Sequence, residues 1–271
     1  MNYSFALAAL LAAGPAFSDQ ITPDAFATLP PADVVILGET HDNPIQHAHQ
    51  ARAVETLAPA ALVFEMLTPE QAAKVTPDLR TDAAALAEVL DWDNSGWPDF
   101  SMYAPIFAAS TAPVYGAALS RDEVRRAFSE GAADVFGAEA DRYGLTTPLP
   151  EEMQEDRAQM QFEAHCEAMP LEMMAGMVEA QRLRDAAFSR VALQALEETG
   201  GPVVVIAGNG HARSDWGMPA VLAQAAPDVT VLSVGQLEAP PDEVPPYDVW
   251  LVTDAAERGD PCAGFAKAAT D

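Results

Sequence analysis

Glu39 and His41 stand two residues apart in Gly38-Glu39-Thr40-His41-Asp42-Asn43, and far downstream His211 closes the run Gly208-Asn209-Gly210-His211 before Ala212-Arg213. Side chains two apart in an extended segment lie on the same side, so the first run presents a carboxylate and an imidazole together. Joined by Glu65 and His211, they make a nitrogen and oxygen donor set suited to a divalent transition metal such as zinc, manganese or iron. The metal ligands would be Glu39, His41 and His211. Without a metal, Glu39, His41, Glu65 and His211 are equally suited to work as general base and acid. A single such run is more simply explained by carboxylates capping loops and imidazoles bonding to backbone. Two of them, in a chain with only five histidines, favour chemistry.

Other polar residues are sorted by helical geometry. Asn43-Pro44 reads as an N-cap and first helical position, with Gln46 placed for a capping box. In that helix His47 and His49 point about 200° apart, so at most one faces the site; His47 is the candidate and His49 is expected at the surface. Gln181 and Asp185, four apart, share a helix face. Arg121, Arg182 and Arg213 are notable where positive charge is scarce, because arginine binds carboxylates through two parallel hydrogen bonds. Solvated surface pairing is the plainer role for each.

Short apolar runs position these groups. Residues 34–37, 61–64, 114–117, 203–206, 229–232 and 249–252 read as strands, and the first, second and fourth lack in–out alternation, as strands covered on both faces do. Helical stretches at 121–136 and 151–198, the latter interrupted by Pro170, separate them. Strands joined by helices imply an α/β fold with a mostly parallel sheet flanked by helices. The gap between the third and fourth strands is too long for one crossover, so residues 121–198 are read as an inserted helical subdomain. In parallel sheets ligands bind beyond the carboxyl ends of the strands. That rule gathers Glu39, His41, Glu65, Arg121, His211 and Arg213 at one edge.

Residues 5–13 form an apolar run broken by Gly14-Pro15 and followed by Ala16-Phe17-Ser18, which reads as a signal peptide over residues 1–18 cleaved before Asp19. The run is shorter than the roughly 20 residues that span a bilayer, and no other segment resembles a span. The expected product, residues 19–271, is a single domain in the periplasm or outside the cell. Cys166 and Cys262 can form one disulfide in such a compartment, tying the chain's end to its middle, or can remain free. With 41 acidic against 14 basic residues and a formal charge of -27, the surface repels phosphate backbones and anionic lipids. Nucleic-acid binding is excluded on that ground.

The paired runs at 38–43 and 208–213 resemble the two signature motifs of the ChaN-like haem-binding family, a branch of the Tiki superfamily with erythromycin-esterase-like relatives. Glu65, His165-Cys166, Gln181 with Arg184-Asp185, the 215–219 stretch, Tyr247-Asp248-Val249-Trp250 and Asp260-Pro261-Cys262 match as well. The resemblance covers essentially the whole chain after residue 18. It implies a parallel α/β domain with a helical subdomain, haem as ligand and a link to bacterial haem or iron uptake, including an outer-membrane uptake system. Superfamily relatives include metal-dependent proteases and hydrolases, which is the competing function. Many family members are lipoproteins, whereas no cysteine here follows the leader. Haem, bound alone or across a homodimer, needs an apolar slot, an axial ligand and cations for its propionates. Trp92, Trp97, Phe100 and the methionines are candidate walls, and Tyr103, Tyr143 and His165 candidate axial ligands; the plainer role of Tyr103 is a half-buried packing tyrosine, and that of Met169, Met173, Met174 and Met177 is core filling. Arg121, Arg182 and Arg213, with Gln181 and Asp185, complete the candidate binding set.

Overall fold

A computed structural model describes residues 18–260 and 262–263. The leader expected over residues 1–18 lies outside the described residues as far as residue 17. Seven strands form one sheet: β1 (Asp19–Gln20), β2 (Val34–Glu39), β3 (Ala61–Phe64), β4 (Val114–Gly116), β5 (Val203–Gly208), β6 (Val231–Leu237) and β7 (Val249–Val252). Their order is β1-β7-β6-β2-β5-β3-β4, and every pairing is parallel. Strands β2, β3 and β5 are buried along their whole length, as their unbroken apolar runs require.

Alternation along the strands divides the core in two. Val35, Leu37, Leu62, Phe64, Val204 and Ile206 face a layer built from α1 (Pro44–Leu57), α3 (Ala83–Val89) and α4 (Phe100–Ala108). Val34, Ile36, Ala61, Val63, Val203, Val205 and Ala207 face the opposite layer, α5 (Arg121–Glu130), α6 (Ala132–Phe136), α8 (Met174–Thr199) and α10 (Met218–Ala225). Helices of the stretch read as an insert therefore pack directly on the sheet, and α8 returns the chain from edge strand β4 to central β5. Helix α7 (Glu151–Ala164) precedes the Pro170 break and packs on α8. Gly131, at φ 96°, separates α5 from α6 within what reads as one helix. The short helices α2 (Pro69–Ala72) and α9 (Asn209–Ala212) follow β3 and β5. The sixth strand begins two residues later than its apolar run and extends to Leu237.

Asn43 caps α1, its Oδ1 accepting from the Ile45 and Gln46 amides. Gln46 does not close a capping box; its Oε1 accepts from the Thr40 amide and its amide donates to Thr253. Cys166 and Cys262 are bonded, with Cα atoms 5.4 Å apart, so the end of α7 is tied to the C-terminal segment. No described helix is long and apolar enough to cross a membrane.

Gly38 sits where β2 meets its neighbours. A Cβ there would lie 2.5 Å from Asn209 Oδ1 and 2.7 Å from the Val234 carbonyl oxygen, and the backbone oxygen cannot swing aside. Gly38→Ala should cost about 1–3 kcal/mol as an overpacking change, read as a lowered urea midpoint; an unchanged midpoint would contradict the packing described.

Candidate functional site

Parallel pairing places Glu39 opposite Gly208, so the two polar runs leave the sheet side by side. Glu65 follows β3 on the other flank of β5, its amide donating to the Ile206 carbonyl. Strand parity then sends the two buried carboxylates to opposite layers. Glu39 continues the Val35–Leu37 side, toward α1 and α4, whereas Glu65 continues the Ala61–Val63 side, toward α8.

On the first side, Glu39 Oε1 accepts from the Tyr103 hydroxyl at 2.9 Å and lies 2.8 Å from His41 Nδ1. Its other oxygen is buried without a hydrogen bond, 3.3 Å from His47 Nδ1 but not aligned with it. His47 is fully buried, with Nε2 2.9 Å from the His41 carbonyl oxygen and Nδ1 3.1 Å from Gln50 Oε1. His49 points the other way, as expected, but is half-buried rather than at the surface: it stacks on Phe26 and reaches Gln236. The His41 ring is half-exposed, packs edge-on against Trp97, and rests over Gly208, where a Cβ would come within 2.9 Å of Nε2. Burial lowers the His41 pKa, but the Glu39 hydrogen bond and the charges of Glu65 and Glu39 outweigh burial and leave it raised.

On the second side, His211 bridges two acids. Its Nδ1 is 2.6 Å from Asp185 Oδ1 and its Nε2 3.3 Å from Glu65 Oε1. Glu65 Oε2 accepts from the Gly208 amide at 2.7 Å, and the Gln181 amide group lies 3.1 Å from His211 Nδ1. Burial works against charge on all three, and the pairing overrides it for two. Glu65 is held down at about 2 by His211, and His211 is pushed up to about 10 by Glu65 and Asp185. For Asp185 burial prevails over the attraction of His211 and Arg157, and its pKa is raised. Beyond Asp185 stands Arg157 of α7, its Nη2 3.9 Å from Asp185 Oδ2, and both of those atoms are buried without a hydrogen bond. Unsatisfied buried polar atoms of this kind cost about 1–3 kcal/mol each.

The predicted residues thus fall into two chains, Tyr103–Glu39–His41 and Glu65–His211–Asp185–Arg157. The metal set Glu39, His41 and His211 does not converge: no group of three or more His, Cys, Asp or Glu side chains placed to hold a metal occurs among the described residues. The physical reason lies at His211, whose Nδ1 and Nε2 both face carboxylates, Asp185 and Glu65, so that neither nitrogen is turned toward Glu39 and His41. Tyr103 is fully buried, and burial with the Glu39 charge raises its pKa well above the ordinary phenol value. It is a donor to Glu39, with no exposed face to offer an iron. Arg182 is committed to Glu179 and to the carbonyl oxygens of Gly144, Leu145 and Thr147. Arg213 pairs with Asp215 and stacks 3.8 Å over Trp216. Arg121 is exposed at the first position of α5 and forms no ion pair with a described residue. His165 ends α7, its Nδ1 2.8 Å from the Gln161 carbonyl oxygen and its Nε2 without a described partner. Arg157 carried no sequence signal; in the acidic stretch Glu151-Glu152-Met153-Gln154-Glu155-Asp156 before it, an arginine reads as surface pairing.

The buried His211–Glu65 pair sets a pH window. Glu65, at about 2 against 4.5 unfolded, contributes stability above pH 4.5 that is lost as pH falls toward 2. His211, at about 10 against 6.5, contributes stability below pH 6.5 that is lost as pH rises toward 10. The pair therefore stabilises most between about 4.5 and 6.5. Urea denaturation across pH should show Glu65→Gln removing the acid limb and bringing the alkaline limb to lower pH; a variant whose profile runs parallel to wild type would rule the pairing out.

Comparison with known proteins is consistent with this architecture. Residues 25–222 match the family described as haem-binding uptake, Tiki superfamily, ChaN. No curated protein matches the chain. Among solved structures, ChaN of Campylobacter jejuni, described with cofacial haem binding, superposes with a TM-score of 0.61 at 20% identity, covering 83% of this chain and 89% of that one. The type III effector HopBA1 gives 0.43 at 12% identity over 82% and 88% of the two chains. A succinoglycan biosynthesis protein gives 0.38 at 14% over 76% and 66%. With a family match that spans most of its length, this chain belongs to the ChaN-type haem-binding family of the Tiki superfamily.

Proposed function

We propose that this chain is an exported haem-binding protein of bacterial haem or iron uptake, and that it carries haem at the α7–α8 corner with His165 as axial ligand. The observation that supports this most directly is the state of the His165 ring. With Nδ1–H given to the Gln161 carbonyl, Nε2 keeps its lone pair and has no described partner, the arrangement in which ligating histidines are normally held. Leu171 and Met173, 44% and 42% exposed, stand just beyond it in the chain, with Phe162 and Met169 half-buried. Exposed large apolar side chains close in sequence to such an imidazole suit a flat porphyrin face. When bound, the haem supplies the iron that makes the protein a carrier.

Two alternatives within the chain fit haem less well. In the groove of about 560 Å³ at Trp92, Trp97 and Phe100, Trp92 and Phe100 are buried and committed to the core. Tyr143 is buried beside a cavity of about 140 Å³, too small for a porphyrin. Export rests on the leader-like start of the sequence, and a homodimer sharing haem is compatible with an exposed corner.

A second reading is favoured by the Tyr103–Glu39–His41 chain. A half-exposed imidazole whose Nδ1 is held by a buried carboxylate, with Nε2 free above Gly208, is built as a general base. Under this reading the chain is a hydrolase in which Glu39 orients the neutral His41 ring and raises its basicity.

Titration with haemin should give a saturable, shifted Soret band that His165→Ala abolishes or displaces, while Tyr103→Phe leaves it in place; an intact band in His165→Ala rejects the assignment. For the second reading, a panel of activated esters and amides should reveal turnover that falls about 10²–10⁴-fold in His41→Ala. Equal rates in wild type and variant would dismiss it.

A further inference from the structure

The helix that carries His165 ends in a turn that its backbone alone holds poorly. Cys166 and Glu167 both lie in the left-handed region, at φ 58° and 54°, where a side chain crowds the backbone and two non-glycine residues in succession are rare. The Cys166 N–H donates to the Glu163 carbonyl and the Glu167 N–H to the Phe162 carbonyl, each at 2.9 Å. His165 gives both its backbone N–H and its Nδ1–H to one acceptor, the Gln161 carbonyl, at 3.1 and 2.8 Å. Conformations of this kind persist where the surroundings fix them. Here the fixing is covalent, because Cys166 is bonded to Cys262, 96 positions away. The far partner is itself anchored. After β7 the chain crosses the carboxyl edge of the sheet, where the Asp254 carbonyl accepts from Asn43 Nδ2 at 2.9 Å. Arg258 then forks onto Asp42 and Glu238 at 2.6 to 2.7 Å. Cys262 sits in a turn of its own, its N–H donating to Asp260 Oδ1 at 2.8 Å.

We propose that the Cys166–Cys262 disulfide is a redox gate on His165: intact, it holds the ring with Nδ1–H bound and Nε2 ready for iron, and reduced, it lets the ring go. The gate rests on the haem reading for its ligand and on the turn for its action. Both cysteines are half-buried rather than sealed in the core, so a dithiol can reach them. One thiolate of the reductant attacks a sulfur of the pair, and its second thiol resolves the mixed disulfide. Two electrons and two protons pass to Cys166 and Cys262, and the reductant leaves as a disulfide. The last turn of α7 is then free to fray, as helix ends do, and the bond from Nδ1 to Gln161 goes with it. Losing the partner that orients a ligating histidine costs metal affinity about 10–100-fold. Release stays local, because Arg258 keeps its hold on Asp42 and Glu238. Cys262, four positions further on, remains within about 14 Å of it. Reoxidation therefore needs no long search.

The test uses the full chain, first oxidised and then reduced with dithiothreitol and desalted under argon. Nitrogen-15 signals of the histidine rings, with His165 assigned by its loss in His165→Ala, should show the Nδ1–H form in the oxidised chain and the Nε2–H form gaining after reduction. Signals of the buried His47 and His211 should stay in place. Haemin should bind the reduced chain about tenfold or more weakly than the oxidised one, and reoxidation should restore both readouts. The double variant Cys166→Ser with Cys262→Ser, which leaves no thiol to ligate iron, should match the reduced chain and ignore dithiothreitol. Should that variant fail to fold, the reversible reduction of the wild type decides the matter. A His165 ring and a haemin affinity that reduction leaves unchanged overturn the proposal. So does displacement of all five histidine signals together, which would make the disulfide a brace for the whole fold. Haemin binding indifferent to His165→Ala in the oxidised chain rejects the haem reading instead, and the nitrogen signals still decide whether the disulfide holds the ring.

Discussion

Parallel pairing of β2 with β5, in the register that sets Glu39 beside Gly208, is the constraint on which the polar site rests. Parallel neighbours leave the sheet at the same edge, so runs distant in sequence deliver their loops to one place without any contact between the loops being required. Gly38 and Gly208 keep that edge narrow enough. One lies against the Val234 carbonyl and the Asn209 side chain, the other beneath the His41 ring. Side chains at either position would push apart the elements whose ends carry the chemistry.

Pleating then does what pairing alone cannot. Glu39 and Glu65 end strands that flank β5 on either side, yet their parity is opposite, and each is buried in a different helical layer. Carboxylates buried together raise each other's pKa, as the Glu65 charge adds to the raised pKa of Asp185, and Glu39 is kept out of that layer. Separated by the sheet edge, each acquires its own imidazole. Glu39 meets His41 with help from Tyr103, while Glu65 meets His211 with help from the Gly208 amide. Buried charge is tolerated here because it is paired and hydrogen-bonded. The pairing of His211 with two acids explains why these residues, a plausible ligand set on paper, do not converge on a metal.

Sequence alone was most informative where burial imposed a pattern. The runs at 34–37, 61–64 and 203–206 are apolar on both faces because both faces are covered, and that identified the central strands and the edge where Glu39, His41, Glu65 and His211 gather. The α7–α8 break at Pro170 and the opposed directions of His47 and His49 were legible from local geometry. Less legible was anything that depended on where helices settle in three dimensions. Tyr103 looked like a possible iron ligand because phenols bind iron, but α4 packs it inward onto Glu39, which no spacing encodes. Arg182 looked like a free cation and is instead a clamp on the carbonyls of the 144–147 loop. Arg157 was invisible because its role comes from α7 lying on α8.

The packing of α8 on the sheet depends on small residues. The buried face of α8 carries Ala180, Ala186, Ala187, Ala192 and Ala195, interleaved with Leu183 and Phe188. Helices approach their neighbours as closely as the side chains between them allow. With methyl groups against Val203, Val205 and Ala207 of the sheet, α8 sits low enough for Asp185, a short acid, to reach His211 at 2.6 Å. A longer acid at that position would have suited a higher helix. Ser189, also on this face, is buried with its hydroxyl unpaired, a sign that close approach was retained at the expense of polar satisfaction. The alanine content of α8 is thus what brings Asp185 within bonding distance of His211.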